Sequence, residues 1–226
     1  MQESAVTIGD ETFPLPANFF VIATENPIEQ EGTYRLPEAQ LDRFLMKCLV
    51  TYPEHDEEIV IMKQETDGKI FHEQLGKGSG ILSSVDRDTI QKQIIEHVHV
   101  DEKIYQYIAD IVSATRPTTK PTLAQYDFAN IALHEEKTPL DTITQSLENI
   151  QKYIDYGASP RASIAFIRTA RVRAILRGRD VVLPEDIQAL APDILRHRII
   201  LSYRAIGERI TTDMIIDEII KNKIIP

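Results

Sequence analysis

The sequence predicts an α/β piece at the N-terminus, built from a hairpin and part of a parallel sheet, followed by an all-α domain. Three observations carry this. Residues 19–24 (FFVIAT) form a continuous apolar run that closes in polar residues, the pattern of a strand buried on both faces. Residues 66–84 hold Gly68, Gly76, Gly78 and Gly80 among polar residues and mark a domain boundary. Beyond that boundary apolar residues recur at helical spacing. Leu140, Ile143, Leu147, Ile150 and Ile154 make one such stripe, at intervals of three and four.

Residues 4–18 read as a β-hairpin. Val6 and Ile8 flank Thr7, and Gly9-Asp10 suits the turn, with glycine supplying a positive φ. That register sets Val6 opposite Phe13, and Pro14 and Pro16 end the second strand. After the 19–24 strand, Glu25, Asn26 and Pro27 stand at its C-terminal end, where ligand-contacting side chains of open α/β sheets collect. Residues 28–36 form a loop. Pro37 suits the first turn of a helix running to Arg43 or Phe44, with Glu38 near its positive end. Residues 45–51 read as a further strand containing Cys48, and residues 53–64 as an acidic-fronted helix.

In the distal part, Asp101 caps a helix over 102–115 that buries Ile104, Ile108, Ile111 and Val112. Residues 116–139 are punctuated by proline and threonine. Ser159-Pro160 starts another helix, by a serine cap followed by proline in the first turn, and Gly178 ends it. Pro184 opens the next helix and Pro192 a further one. Thr211 or Thr212 caps the last, which carries Met214, Ile215, Ile219 and Ile220.

Composition narrows the function. With 42% apolar and 27% charged residues, the 226-residue chain is ordinary globular protein. A net charge of −10 argues against non-specific binding of nucleic acid. One cysteine excludes a disulfide framework and a cysteine zinc site, and fits a reducing, cytoplasmic setting. No apolar stretch approaches the ~18 residues of a membrane span. His97 and His99 alternate with valines, as exposed residues of one strand face do. Two histidines without a placed carboxylate fall short of a metal site.

Three segments, in order, resemble the MoxR family of AAA+ ATPases: FVIATENPIEQEGTYRLPEAQLDRF at 20–44, YGASPRASIAFIRTAR at 156–171, and GRDVVLPEDIQALAPDILRHRIILS at 178–202. The resemblance implies a partial AAA+ P-loop NTPase core over 1–65, a linker over 66–84 and a helical lid over 85–226. Region 116–150 is longer than the family pattern needs. In the core order 5-1-4-3-2, residues 19–24 would be strand 4 and residues 45–51 strand 5.

By the same resemblance, Asn26 matches the sensor-1 asparagine. Its amide can bond a phosphate oxygen and the attacking water together. Arg43, in QLDRF, matches the arginine finger that stabilises charge on a neighbouring subunit's phosphoryl group. Arg161, in SPRA, matches the sensor-2 arginine. A cation at a helix N-terminus opposes the dipole, a local misfit that points to a partner outside its own helix.

The phosphate cradle GxxxxGK[ST] is not met in the chain. Gly68-Lys69 and Gly76-Lys77 lack the upstream glycine, since Lys63 and Phe71 stand there, and Ile70 and Gly78 follow where Ser or Thr is required. Met214–Glu218 mimics an acidic Walker B strand end, but the apolar spacing continues past Asp217 and Glu218 at helical period. The family implies ATP and Mg2+ as cofactors, a ring homo-oligomer, often a hexamer, and chaperone-like maturation of partners that carry von Willebrand factor A domains. The 226 residues alone are expected neither to hydrolyse ATP nor to bind it tightly. The rival expectation is a non-catalytic helical protein-binding module. A DNA-linked AAA+ relative is a third, opposed by the net acidity. The run Arg168, Arg171, Arg173, Arg177 and Arg179 is expected to be a solvated helix face or a subunit interface.

Overall fold

The computed structural model describes residues 5–15, 19–25, 36–66, 84–117, 150–223 and 225–226. The chain divides into two compact units, one of Met1–Lys47 with His97–Pro226 and the other of Cys48–Glu96. The expected 66–84 linker and the stripe over 140–149 fall almost wholly outside the described residues.

The first unit begins with the hairpin β1 (Ala5–Ile8) and β2 (Glu11–Pro14). Its register is the expected one, with Val6 opposite Phe13. Gly9 has φ +64°, the left-handed conformation that favours glycine in such turns. Thr7 and Thr12 add a cross-strand hydroxyl pair at 3.0 Å.

Residues 19–25 and 45–51 are not strands, so the partial parallel sheet is not built within the described residues. The reason is topological. In the strand order that the resemblance implies, another strand would separate these two, so neither would serve as the other's hydrogen-bonding neighbour. Phe20 and Ile22 are exposed, as is Cys48, which was expected in a strand interior. The helix expected from Pro37 is short: α1 spans Glu38–Leu41 with Pro37 at its N-cap. It then tightens, because Arg43 N bonds Gln40 O at 3.1 Å and Phe44 N bonds Leu41 O at 3.0 Å, which carries the coil as far as Phe44.

The second unit holds α2 (His55–Thr66) and nearly all of α3 (Ser84–His97). No residue of α2 is buried.

The core lies in the distal helices. Among the described residues, every buried apolar side chain falls between Val98 and Ile219. Helix α4 (Glu102–Ala114) buries Ile104, Ile108, Ile111 and Val112, and Asp101 caps it by accepting from Lys103 N at 2.9 Å. Strand β3 (Ile154–Tyr156) pairs antiparallel with β4 (Ile200–Leu201). Ile154 is therefore a strand residue and not the end of a helical stripe. Helix α5 (Pro160–Leu176) starts at Ser159 with proline in its first turn and closes at Gly178, φ +72°.

Helix α6 (Pro184–Leu195) runs through Pro192, where a new helix was expected. A proline in the last turn removes one N–H bond but leaves the burial of Ile194 and Leu195 intact, and that burial outweighs the lost bond. Two short elements follow, α7 (Tyr203–Gly207) and then α8 (Thr212–Asn222), which Thr211 caps. The pseudo-Walker carboxylates Asp217 and Glu218 lie on α8, a helix, as its spacing predicted.

The arginine run is not a plain solvated face. Asp186, 1% exposed, takes both guanidinium nitrogens of Arg179 at 2.9 and 2.7 Å and has Arg173 at 3.4 Å. It also accepts from Leu183 N, closing the start of α6. Burial pushes the Asp186 carboxyl up, but its bonds to Arg179 and Leu183 outweigh that and hold it below the usual range.

Candidate functional site

Arg161 meets the coil that carries Arg43 at Asp42, the residue before it. Arg43 stands in the tightened coil after α1. Its side chain is exposed, with no hydrogen bond or ion pair among the described residues. Arg161 lies in the first turn of α5. Asn26 lies outside the described residues.

Asp42 is tucked in, its side chain 18% exposed, and it gathers three donors. The Ser159 hydroxyl donates to it, 3.0 and 2.9 Å from its two oxygens. Arg161 Nη1 donates at 3.2 Å and Arg198 Nε at 3.2 Å. Ser159 plays two parts: the same oxygen accepts from Arg161 N at 3.2 Å and so caps α5. The misfit of a cation at a helix N-terminus is thus met by a carboxylate brought from 119 residues earlier in the chain.

The approach to α5 is equally tight. Gly157 must be glycine, because a Cβ there would sit 2.3 Å from Thr115 O. Thr115, fully buried, accepts from Ala158 N at 2.9 Å and donates to Val112 O at 2.7 Å. Arg116 Nε donates to Ala158 O at 3.0 Å. The end of α4 therefore fixes where Ser159 and Arg161 stand.

Arg196, His197 and Arg198, just past α6, clasp the backbone that follows Arg43. Arg198 donates to Phe44 O at 2.5 Å and to Leu45 O at 3.4 Å, and also to Ile194 O. Arg196 donates to Lys47 O at 2.6 Å, to Asp213 at 3.1 Å and to Asp193. Lys47 N returns a bond to Asp193 O at 2.8 Å. His197 Nε2 meets Phe44 O at 3.2 Å, which makes it the protonated nitrogen of a neutral ring, while Nδ1 is buried without a partner among the described residues. Burial and the adjacent Arg198 charge push the His197 pKa down to about 4. Burial also lowers Arg198, opposed by Asp42.

A cleft of about 250 Å³ opens beside this knot, lined by Glu38, Asp42, Tyr156, Ser159, His197 and Arg198. Sequence reasoning passed over Asp42, Arg196, His197 and Arg198 as actors. The signal present was the charge-dense RHR triplet immediately after an apolar helix. His97 ends α3 and His99 makes a bridge to Val181, so they do not share a strand face. Among the described residues no cluster of three or more His, Cys, Asp or Glu could hold a metal, and no helix is long and apolar enough to cross a membrane.

Two segments of the chain match known family models. Residues 1–46 match the family described as ATPase family associated with various cellular activities (AAA), and residues 147–219 match the AAA lid domain. The chain is 36% identical to Chaperone MoxR1 of Mycobacterium tuberculosis, over 100% of this chain and 52% of that protein. It is 30% identical to Protein MoxR of Methylorubrum extorquens, over 95% of this chain and 57% of that one. The chain thus spans about half the length of the curated relatives it matches. A crystal structure of a candidate ATPase from Cytophaga hutchinsonii superposes with a TM-score of 0.77 at 38% identity, covering 100% of this chain and 59% of that one.

Proposed function

This chain belongs to the MoxR family of AAA+ ATPases, and from that premise we propose that it supplies the distal half of a nucleotide site. It brings the sensor-1 asparagine Asn26, the arginine finger Arg43 and a helical lid carrying sensor 2, Arg161. ATP and Mg2+ are held together with a phosphate cradle that these 226 residues do not themselves provide. The assembly is a ring, and its work is chaperone-like remodelling or maturation of partner proteins, including those with von Willebrand factor A domains.

One observation carries the reading. Arg43 is exposed and unpaired among the described residues, while the buried Arg198 holds the Asp42 carboxylate before it and the Phe44 carbonyl after it. A free guanidinium on a fixed stem is what charge stabilisation across a subunit boundary requires. By contrast, an arginine retained for stability would be expected to spend its donors locally.

The test is subunit mixing. In a ring-forming protein that carries this segment, Arg43→Ala subunits and P-loop-defective subunits are each inactive alone, and mixing them is expected to restore turnover. No restoration at any ratio counts against action in trans.

A further inference from the structure

The coil that carries Arg43 has no core of its own. Helix α1 before it buries no residue, and none of residues 42–47 is fully buried. What holds the coil is the end of α6. Arg198 donates to the Asp42 carboxylate at 3.2 Å on one side of Arg43 and to Phe44 O at 2.5 Å on the other. Arg196 donates to Lys47 O at 2.6 Å, and Lys47 N returns a bond to Asp193 O at 2.8 Å. Arg196 is itself moored to Asp193 on α6 and to Asp213 in the first turn of α8. Both helices are seated in the core, through residues such as Ile187, Ile194 and Ile216. In the other direction the coil has an exposed pair, Lys47 with Glu25 at 3.0 Å, a weak tie by comparison.

We propose that the helical lid, through Arg196 and Arg198, positions the Arg43 finger, so that the lid of one subunit governs the chemistry in its neighbour. The inference rests on reading Arg43 as a finger that acts across the subunit boundary. Arg196 and Arg198 are positioning residues: they act through the backbone that bears Arg43. Donors that carry a full charge make the stronger hydrogen bonds, and here they converge on a stretch of six residues, 42–47. The coil therefore travels with the lid and not with the segment that precedes it. A displacement of about 1 Å at a reacting group costs on the order of 100-fold in rate. A lid that shifts in one subunit thus presents or withdraws the finger at the next.

The experiment is Arg196→Met in a ring-forming protein that carries this segment. Arg196 lies outside the Asp42–Arg198 pair, and methionine keeps the apolar stem while removing the donors. We expect kcat for ATP to fall about 100-fold, with the nucleotide dissociation constant within about threefold of the parent. Mixing supplies the readout that a merely structural role would not move. Arg196→Met subunits are expected to regain turnover with P-loop-defective subunits, which bring intact fingers, and to stay inactive with Arg43→Ala subunits. Turnover regained with Arg43→Ala subunits would place the defect in the variant's own nucleotide site and overturn the proposal. So would unchanged kcat, or a loss that neither mixture relieves. The control is Arg43→Ala with P-loop-defective subunits: if that mixture stays inactive, the finger reading itself falls. Should Arg196→Met not assemble, Arg196→Lys keeps the charge and loses the fork, with a smaller loss of kcat and the same pattern of rescue expected.

Discussion

Asp42 and Arg198, 156 residues apart, form an ion pair at 3.2 Å that fastens the coil bearing Arg43 to the end of α6. The pair is nearly dry on the arginine side, 2% exposed, and half-wet on the aspartate side, 18% exposed. Such a pair adds little net stability over apolar isosteres, but removing one partner is costly because the other is left buried and charged.

Arg198→Ala is therefore expected to destabilise the chain by about 3 kcal/mol. It removes the more buried of the two arginines on Asp42 and frees the carbonyls of Phe44 and Leu45 together. Urea unfolding of the 226-residue chain measures it. Asp42→Asn combined with Arg198→Met is expected to recover part of the loss. A double variant no more stable than Arg198→Ala would show that the carbonyl clasp, not the charge pair, carries the energy.

His197 predicts a pH dependence. Its pKa falls from 6.5 unfolded to about 4 folded, chiefly by burial and secondly by Arg198. Between those values the unfolded chain binds more protons, so stability rises with pH. The contribution is full above about pH 6.5, is lost progressively as pH falls, and is gone below the folded value of about 4. The whole swing is at most about 3 kcal/mol. His197→Gln, which keeps a donor for Phe44 O, is expected to flatten the urea midpoint between pH 4 and 6.5. A slope unchanged by that substitution would place the titrating group elsewhere.

Hydrogen exchange on the 226-residue chain should separate the two kinds of structure. Strong protection is expected in α4, α5, α6 and α8, which hold the core between Val98 and Ile219. Residues 19–25, which join no strand among the described residues and carry exposed Phe20 and Ile22, should exchange fast. Uniform protection across both in a monomer would point to a complete domain of another architecture.

What the sequence disclosed follows from how local each cause is. Asp101, Ser159 and Thr211 each bond a backbone N–H two or three residues on, so the starts of α4, α5 and α8 were readable. The Val6–Phe13 register followed from a two-residue turn. The apolar run at 19–24 suggested a strand, but strand pairing needs a neighbour, and no local pattern supplies one. Pro192 misled because its cost is local while the burial that overrides it is tertiary. The site split the same way. The motifs pointed to Arg43 and Arg161 as candidates, while Asp42's partners stand 117, 119 and 156 residues away, beyond any periodicity.

The most direct measurement compares turnover with nucleotide affinity for Arg43→Ala in a ring-forming protein that carries this segment. A finger acts mainly in the transition state, so kcat should fall by roughly 10³-fold or more while the nucleotide dissociation constant stays within about threefold. Affinity falling in step with turnover would make Arg43 a ground-state ligand and contradict its assignment as the finger.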